Sequence, residues 1–229
     1  MRIVSLTKET TRDILDNLLK RSPNNYGKYE SAVAEILANV KTKGDEALFS
    51  YTKEFDKAEI AAETIKVTEE EIQEAYSLVD PALVDVIRKA LVNIRSYHEK
   101  QKQNSWFTSD TDGTMLGQKV TALERVGVYV PGGKAVYPSS VLMNIVPAKV
   151  AGVDQIVMTT PPGKNGKVNP STLVAAKEAD ADEIYKVGGA QAIGALAYGT
   201  ESIPKVDKIV GPGNIFVADR KSVGRERVF

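Results

Sequence analysis

The chain has 229 residues, 42% of them hydrophobic, which is material for one or two domains with a sizeable core. Its 30 Lys and Arg balance 30 Asp and Glu, so no net field recommends nucleic acid or an anionic membrane as a partner. It contains no cysteine, which excludes disulfides, iron–sulfur clusters and thiolate zinc sites within it and fits a reducing compartment.

The opening segment MRIVSLTKET lacks the apolar stretch of a signal peptide, and no later run is long enough for a membrane span. A cytoplasmic protein with small-molecule ligands is the expectation. From Thr7 to about Gln103 the text is charged, poor in glycine and apolar at spacings of three and four, so helices are expected. Ile14, Leu18 and Leu19 form one short face; Ala34, Leu37 and Ala38, then Ala47, Leu48 and Tyr51, form a helical hairpin with Gly44 as C-cap and Asp45 as the next N-cap. Thr68 and Glu71 make a capping box, and Asp80-Pro81 opens a helix whose stripe is Leu83, Ile87, Leu91, Ile94 and His98. His98, the only histidine, has no second imidazole or thiol to join it, so it reads as a helix-edge packing residue rather than a ligand.

Residues 106–124 read as a hairpin linker turning at Asp112-Gly113. From Arg125 the pattern changes to apolar runs that end in glycine or proline. Val126–Val130 runs into Pro131-Gly132-Gly133, and Gln155–Thr159 runs into Pro161-Pro162-Gly163. Glu183–Val187 is followed by Gly188-Gly189, and Lys208–Val210 by Gly211-Pro212-Gly213-Asn214. Four strand-loop-helix units at crossover spacing imply a parallel, Rossmann-like α/β sheet with Gly133, Gly163, Gly188 and Gly213 near its carboxyl edge. That edge is where open α/β sheets bind ligands.

Three residues become candidate cofactor contacts. Gln191, in the first turn of a helix, offers both an amide donor and a carbonyl acceptor, or is simply solvated. Asn214 is placed to bond a ribose or phosphate, or to cap its helix. Tyr129 is penultimate in its strand, next to the first loop, and offers a ring and hydroxyl, or is simply packed. No Gly-x-Gly-x-x-Gly appears, and no acidic residue stands at the strand-two position that takes a ribose 2′-hydroxyl. Nucleophile elbow, Walker loop and metal-spaced His/Asp pair are also absent from the sequence, so no catalytic residue is assigned within it.

The strings KGDEALFSYTKEFD (43–56), ERVGVYVPGG (124–133), PSSVLMNIVPAKVAGV (138–153) and KVGGAQAIGALAYGTESIPKVDKIVGPGN (186–214) closely resemble histidinol dehydrogenase. The resemblance runs to Ala218. It implies a zinc-dependent homodimer that oxidises L-histidinol through the aldehyde to L-histidine and reduces two NAD. It also implies NAD contacts at Tyr129, Gln191 and Asn214, and zinc ligands and a Glu-His pair in later motifs that this sequence does not contain. Residues 1–105 are then expected to pack as part of a second, incomplete lobe, leaving Leu83, Ile87, Leu91 and Ile94 partly exposed, with the NAD-binding domain at 125–218. Residues 219–229, basic and broken by Gly224, read as foreign to the family and suggest a truncated or mis-joined frame. The expectation is an NAD-binding fragment without activity of its own. Two other readings stay open: a stand-alone nucleotide-binding module without catalysis, and an interaction protein that docks through its amphipathic helices.

Overall fold

In chain order, α1 (Gly27–Lys43), α2 (Asp45–Phe55), α3 (Glu69–Leu78) and α4 (Pro81–Glu99) lead into a hairpin of β1 (Trp106–Ser109) and β2 (Met115–Gln118). There follow β3 (Arg125–Tyr129), α5 (Pro138–Val150), β4 (Gln155–Thr160), α6 (Pro170–Glu178), β5 (Glu183–Lys186), α7 (Gly189–Tyr198) and β6 (Lys208–Val210). These elements come from a computed structural model that describes Ser5, Thr7 and residues 10–12, 27–132 and 136–212. The expected face at Ile14, Leu18 and Leu19, together with Gly133, Gly213, Asn214 and the tail, lies outside the described residues.

Strands β3 to β6 form one sheet in the order β5-β4-β3-β6, and every pairing is parallel. Its side chains alternate between two cores, as strand geometry requires. Val126, Val128, Ile156, Met158 and Ile184 join one core, while Tyr129, Val157, Tyr185 and Ile209 join the other. Helices α3, α4, α5 and α6 cover the first face, and α1, α2 and α7 the second. Burial of each such aliphatic side chain contributes about 1.5–3 kcal/mol. The outer edge of β5 is covered where Val67 N–H donates to Ile184 and Lys186 N–H donates to Ile65.

The helix starts follow local chemistry. Thr68 Oγ1 accepts from Glu71 N–H at 3.3 Å while Glu71 Oε2 accepts from Thr68 N–H at 3.0 Å. Asp80 accepts from Ala82 N–H ahead of Pro81 at the first turn, and Asn169 accepts from Ser171 N–H ahead of Pro170. Asp45 behaves differently from the expected N-cap. It is the first residue of α2, its carboxylate accepts from Ser202, and its own N–H is taken by Glu201 at 2.8 Å. The distant loop at 201–202 therefore supplies the bonds that a local cap would have made.

Two helix faces also differ from the sequence pattern. On α1 the buried residues are Val33, Ile36, Leu37 and Val40, while Ala34 and Ala38 are exposed, because the larger side chains gain more from facing α7. On α4 the helix turns Val84 and Ile87 inward and leaves Leu83 exposed, with Leu91 and Ile94 half-buried. The four amino-terminal helices pack directly on the sheet's own helices, α1 and α2 on α7, α3 on α6 and α4 on α5 and α6. Arg88 forks onto Glu178 with contacts of 2.8 and 2.9 Å, and Tyr76 donates to the same carboxylate at 2.7 Å, so α6 holds α3 and α4 through one anion. The hairpin β1–β2 is antiparallel and turns at Asp112-Gly113, and all eight of its strand residues are exposed.

Candidate functional site

The loops after β3, β4 and β5 meet around one residue, Pro161. A Cβ on Gly132 would lie 2.4 Å from the Pro161 ring, and one on Gly188 would lie 2.5 Å from Pro161 Cβ. Glycine at both positions is what lets three loops share this small volume. Beside them opens a cleft of about 1000 Å³ lined by Asp56, Tyr129, Gly132, Pro161, Gly163 and Gly189, with Glu71, Glu74, Lys164 and Lys167 also on its walls. It lies at the carboxyl edge of the sheet. There the strand order turns back at β3, whose neighbours are reached by α5 over one face and α7 over the other.

Tyr129 closes β3 and is 3% exposed. Its Oη accepts from Gly189 N–H at 3.3 Å, which leaves the phenol proton as the group offered towards the cleft. Burial pushes the phenol above its ordinary pKa, and the nearby Asp56 charge adds to the rise. Gln191 stands in the first turn of α7, 1% exposed, with neither amide atom partnered. Its Oε1 lies 2.7 Å from where a Cβ on Gly189 would stand, so the amide is folded over a glycine of the cleft wall. That glycine has φ +60, a left-handed conformation that permits this close approach. The structure therefore brings Tyr129 and Gln191 to the two sides of Gly189. Asn214 lies outside the described residues.

Five buried side-chain polar atoms among the described residues lack a hydrogen-bond partner, and four of them belong to Asp56, Thr159 and Gln191. Thr159 is the parallel register partner of Tyr129, so this concentration sits at the carboxyl ends of β3 and β4. Unpaired buried polar atoms each cost about 1–3 kcal/mol, and their clustering marks a place shaped for something that supplies donors and acceptors. Asp56 and Thr159 carried no signal as site residues in the sequence. Asp56 follows α2 and reaches the cleft only through tertiary packing, and Thr159 reads as an ordinary strand residue.

His98 stands in the last turn of α4 and does not line the cleft, with Nδ1 2.7 Å from Gln101 Oε1 and its ring edge-on to Tyr97. Among the described residues no group of three His, Cys, Asp or Glu stands together as a metal site would.

A family model described as histidinol dehydrogenase matches residues 19–228. The chain belongs to the histidinol dehydrogenase family. Its match extends across most of the segment 219–229 that the sequence reading set apart as foreign. Histidinol dehydrogenase from Heliobacterium mobile is 56% identical over 202 residues, covering 88% of this chain and 47% of its own length. That from Bacillus subtilis is 61% identical over 186 residues, covering 81% of this chain and 43% of its own length. The crystal structure of histidinol dehydrogenase from Elizabethkingia anophelis superposes with a TM-score of 0.81 at 39% identity, over 86% of this chain and 46% of that one. The chain thus spans about half the length of the relatives it matches.

Proposed function

We propose that this chain is the NAD-binding portion of a dehydrogenase that oxidises L-histidinol through the aldehyde to L-histidine, with NAD lying along the carboxyl edge of the sheet. The observation that carries this reading is the set of orphaned polar atoms of Asp56, Thr159 and Gln191 beside the cleft, in a member of the histidinol dehydrogenase family. NAD supplies the hydride acceptor when bound. Tyr129 donates from its phenol while Gly189 N–H holds its oxygen in place. Gln191 has a free donor and a free acceptor, the pair needed to orient an amide or a ribose. The amino end of α7 adds positive potential for a pyrophosphate. Asn214 belongs to the same proposal as a third contact.

The zinc implied by the family does not fit the described residues, where no clustered ligand set occurs, and the whole chain has one histidine and no cysteine. We therefore assign metal binding and proton transfer to parts of the enzyme other than these residues. Assembly as a homodimer and a cytoplasmic location are part of the same proposal; no helix among the described residues is long and apolar enough to cross a membrane.

Gln191→Met tests the cofactor site. Methionine fills a similar volume without leaving polar atoms unpaired, so the unliganded chain is expected to gain about 1 kcal/mol in urea denaturation. The same variant is expected to lose NAD binding in calorimetric titration. A variant that binds NAD like its parent would remove Gln191 from the site, and a parent chain that gives no saturable NAD binding would end the functional reading.

A further inference from the structure

Three carboxylates line the cleft among the described residues, those of Asp56, Glu71 and Glu74, and only two of them are matched by cations. Glu71 accepts from Lys186 Nζ at 2.8 and 3.0 Å and from Thr68 N–H. Glu74 accepts from Lys167 Nζ at 2.6 and 2.7 Å. Asp56 has no such partner, and its Oδ2 is buried without any hydrogen bond. Its backbone N–H is already spent on Thr52 at the end of α2, so the local chain fixes the residue while leaving the carboxylate open. An ionised carboxylate is acceptor-only, and burying one without a donor is costly. A ligand that brings hydroxyl donors to this end of the cleft relieves that cost; a ligand that brings a phosphate adds a second anion and increases it.

We infer that Asp56 is a specificity-determining residue of the cleft, accepting from the 2′-hydroxyl of the adenosine ribose of NAD and rejecting the 2′-phosphate of NADP. This rests on the proposed NAD site. It also answers a gap in the sequence, where the second strand of the sheet carries no acid for the ribose. The acid comes instead from the loop after α2, carried to the β3 edge by the packing of α1 and α2 on α7. Asp56 and Tyr129 line the same cleft. Burial raises the Asp56 carboxyl to about 6, so at neutral pH it is ionised and is the acceptor that the hydroxyl needs.

The test is calorimetric titration at pH 7.5 of the full chain and of Asp56→Asn with NAD, NADP and the adenosine 2′-deoxy analogue of NAD. The unmodified chain is expected to bind NAD at least about tenfold more tightly than either of the other two, in line with a hydrogen bond to a charged group. In Asp56→Asn the preference for NAD over the 2′-deoxy analogue is expected to shrink to within about twofold, and NADP is expected to gain relative to NAD. Equal affinity of the unmodified chain for NAD and its 2′-deoxy analogue overturns the inference even if the variant fails to fold. An unchanged preference in the folded variant overturns it as well. In both of those outcomes NAD still binds and the proposed cofactor site stands, whereas a chain that binds none of the three nucleotides overturns that site along with the inference.

Discussion

At the scale of single residues, the groups beside the cleft are arranged at the expense of stability in the unliganded chain. Burial disfavours the charged form of Asp56 and raises its carboxyl from the ordinary 3.8 to about 6. Between those two values the folded state binds more protons than the unfolded one, so this group's contribution to stability falls as pH rises through the window. Glu178 acts in the opposite sense. Arg88 holds it below its ordinary value, so its contribution is present at neutral pH and is lost on acidification. The useful comparison is therefore between parent and variant at each pH rather than across pH in one protein. Asp56→Asn is nearly isosteric and does not titrate. We expect it to melt at a higher temperature than the parent at pH 7.5 and at the same temperature near pH 4. A variant less stable than the parent at pH 7.5, followed by circular dichroism, would show that Asp56 has a stabilising partner in the folded chain.

Among the elements, what could be read from sequence was whatever depends on near neighbours. The capping box of α3, the Asp80-Pro81 start of α4 and the Asp112-Gly113 turn are local bargains between a side chain and backbone groups a few positions away. Strand ends fell within two residues of their glycines and prolines for the same reason. The rotation of α1 towards Val33 and Val40, and the transfer of the Asp45 carboxylate to Ser202, depend on partners far along the chain and left no local mark. Lys186 is a sharper case. It ends β5 with a side chain only 6% exposed, and its charge is matched by Glu71, which also completes the capping box of α3. Removing one partner of a buried pair leaves an uncompensated charge, so Lys186→Met is expected to cost about 3 kcal/mol in urea denaturation. Glutamine serves a capping box as well as glutamate does. Adding Glu71→Gln to Lys186→Met should therefore recover part of the loss. Simple additivity of the two changes would show that the pair is not coupled.

For the molecule as a whole, four glycine- and proline-terminated apolar runs were enough to specify one parallel sheet, because only crossover connections join such strands at that spacing. They were also enough to place Tyr129 and Gln191 at one edge, since strand ends and helix starts converge there. Asp56 was not legible, because which helical layer supplies a residue to that edge is decided by packing across the sheet. The same distinction between local and distributed structure governs activity. In the function proposed above, holding NAD depends on groups this chain supplies, but oxidising an alcohol also requires a base in reach of its proton, which typically contributes about 10²–10⁴-fold. The one histidine of the chain stands in the last turn of α4 and bonds Gln101, and the carboxylates of Glu71 and Glu74 are committed to lysines. Asp56 remains as an ionised acceptor, and we have assigned it to the ribose end of the cofactor rather than to the reacting carbon. The purified chain is therefore expected to bind NAD but to show no histidinol-dependent rise in NADH absorbance, with or without added zinc. Turnover by the monodisperse chain that is lost in Asp56→Asn, while NAD still binds, would instead make Asp56 the base and move the reacting end of the cofactor to the mouth of α2.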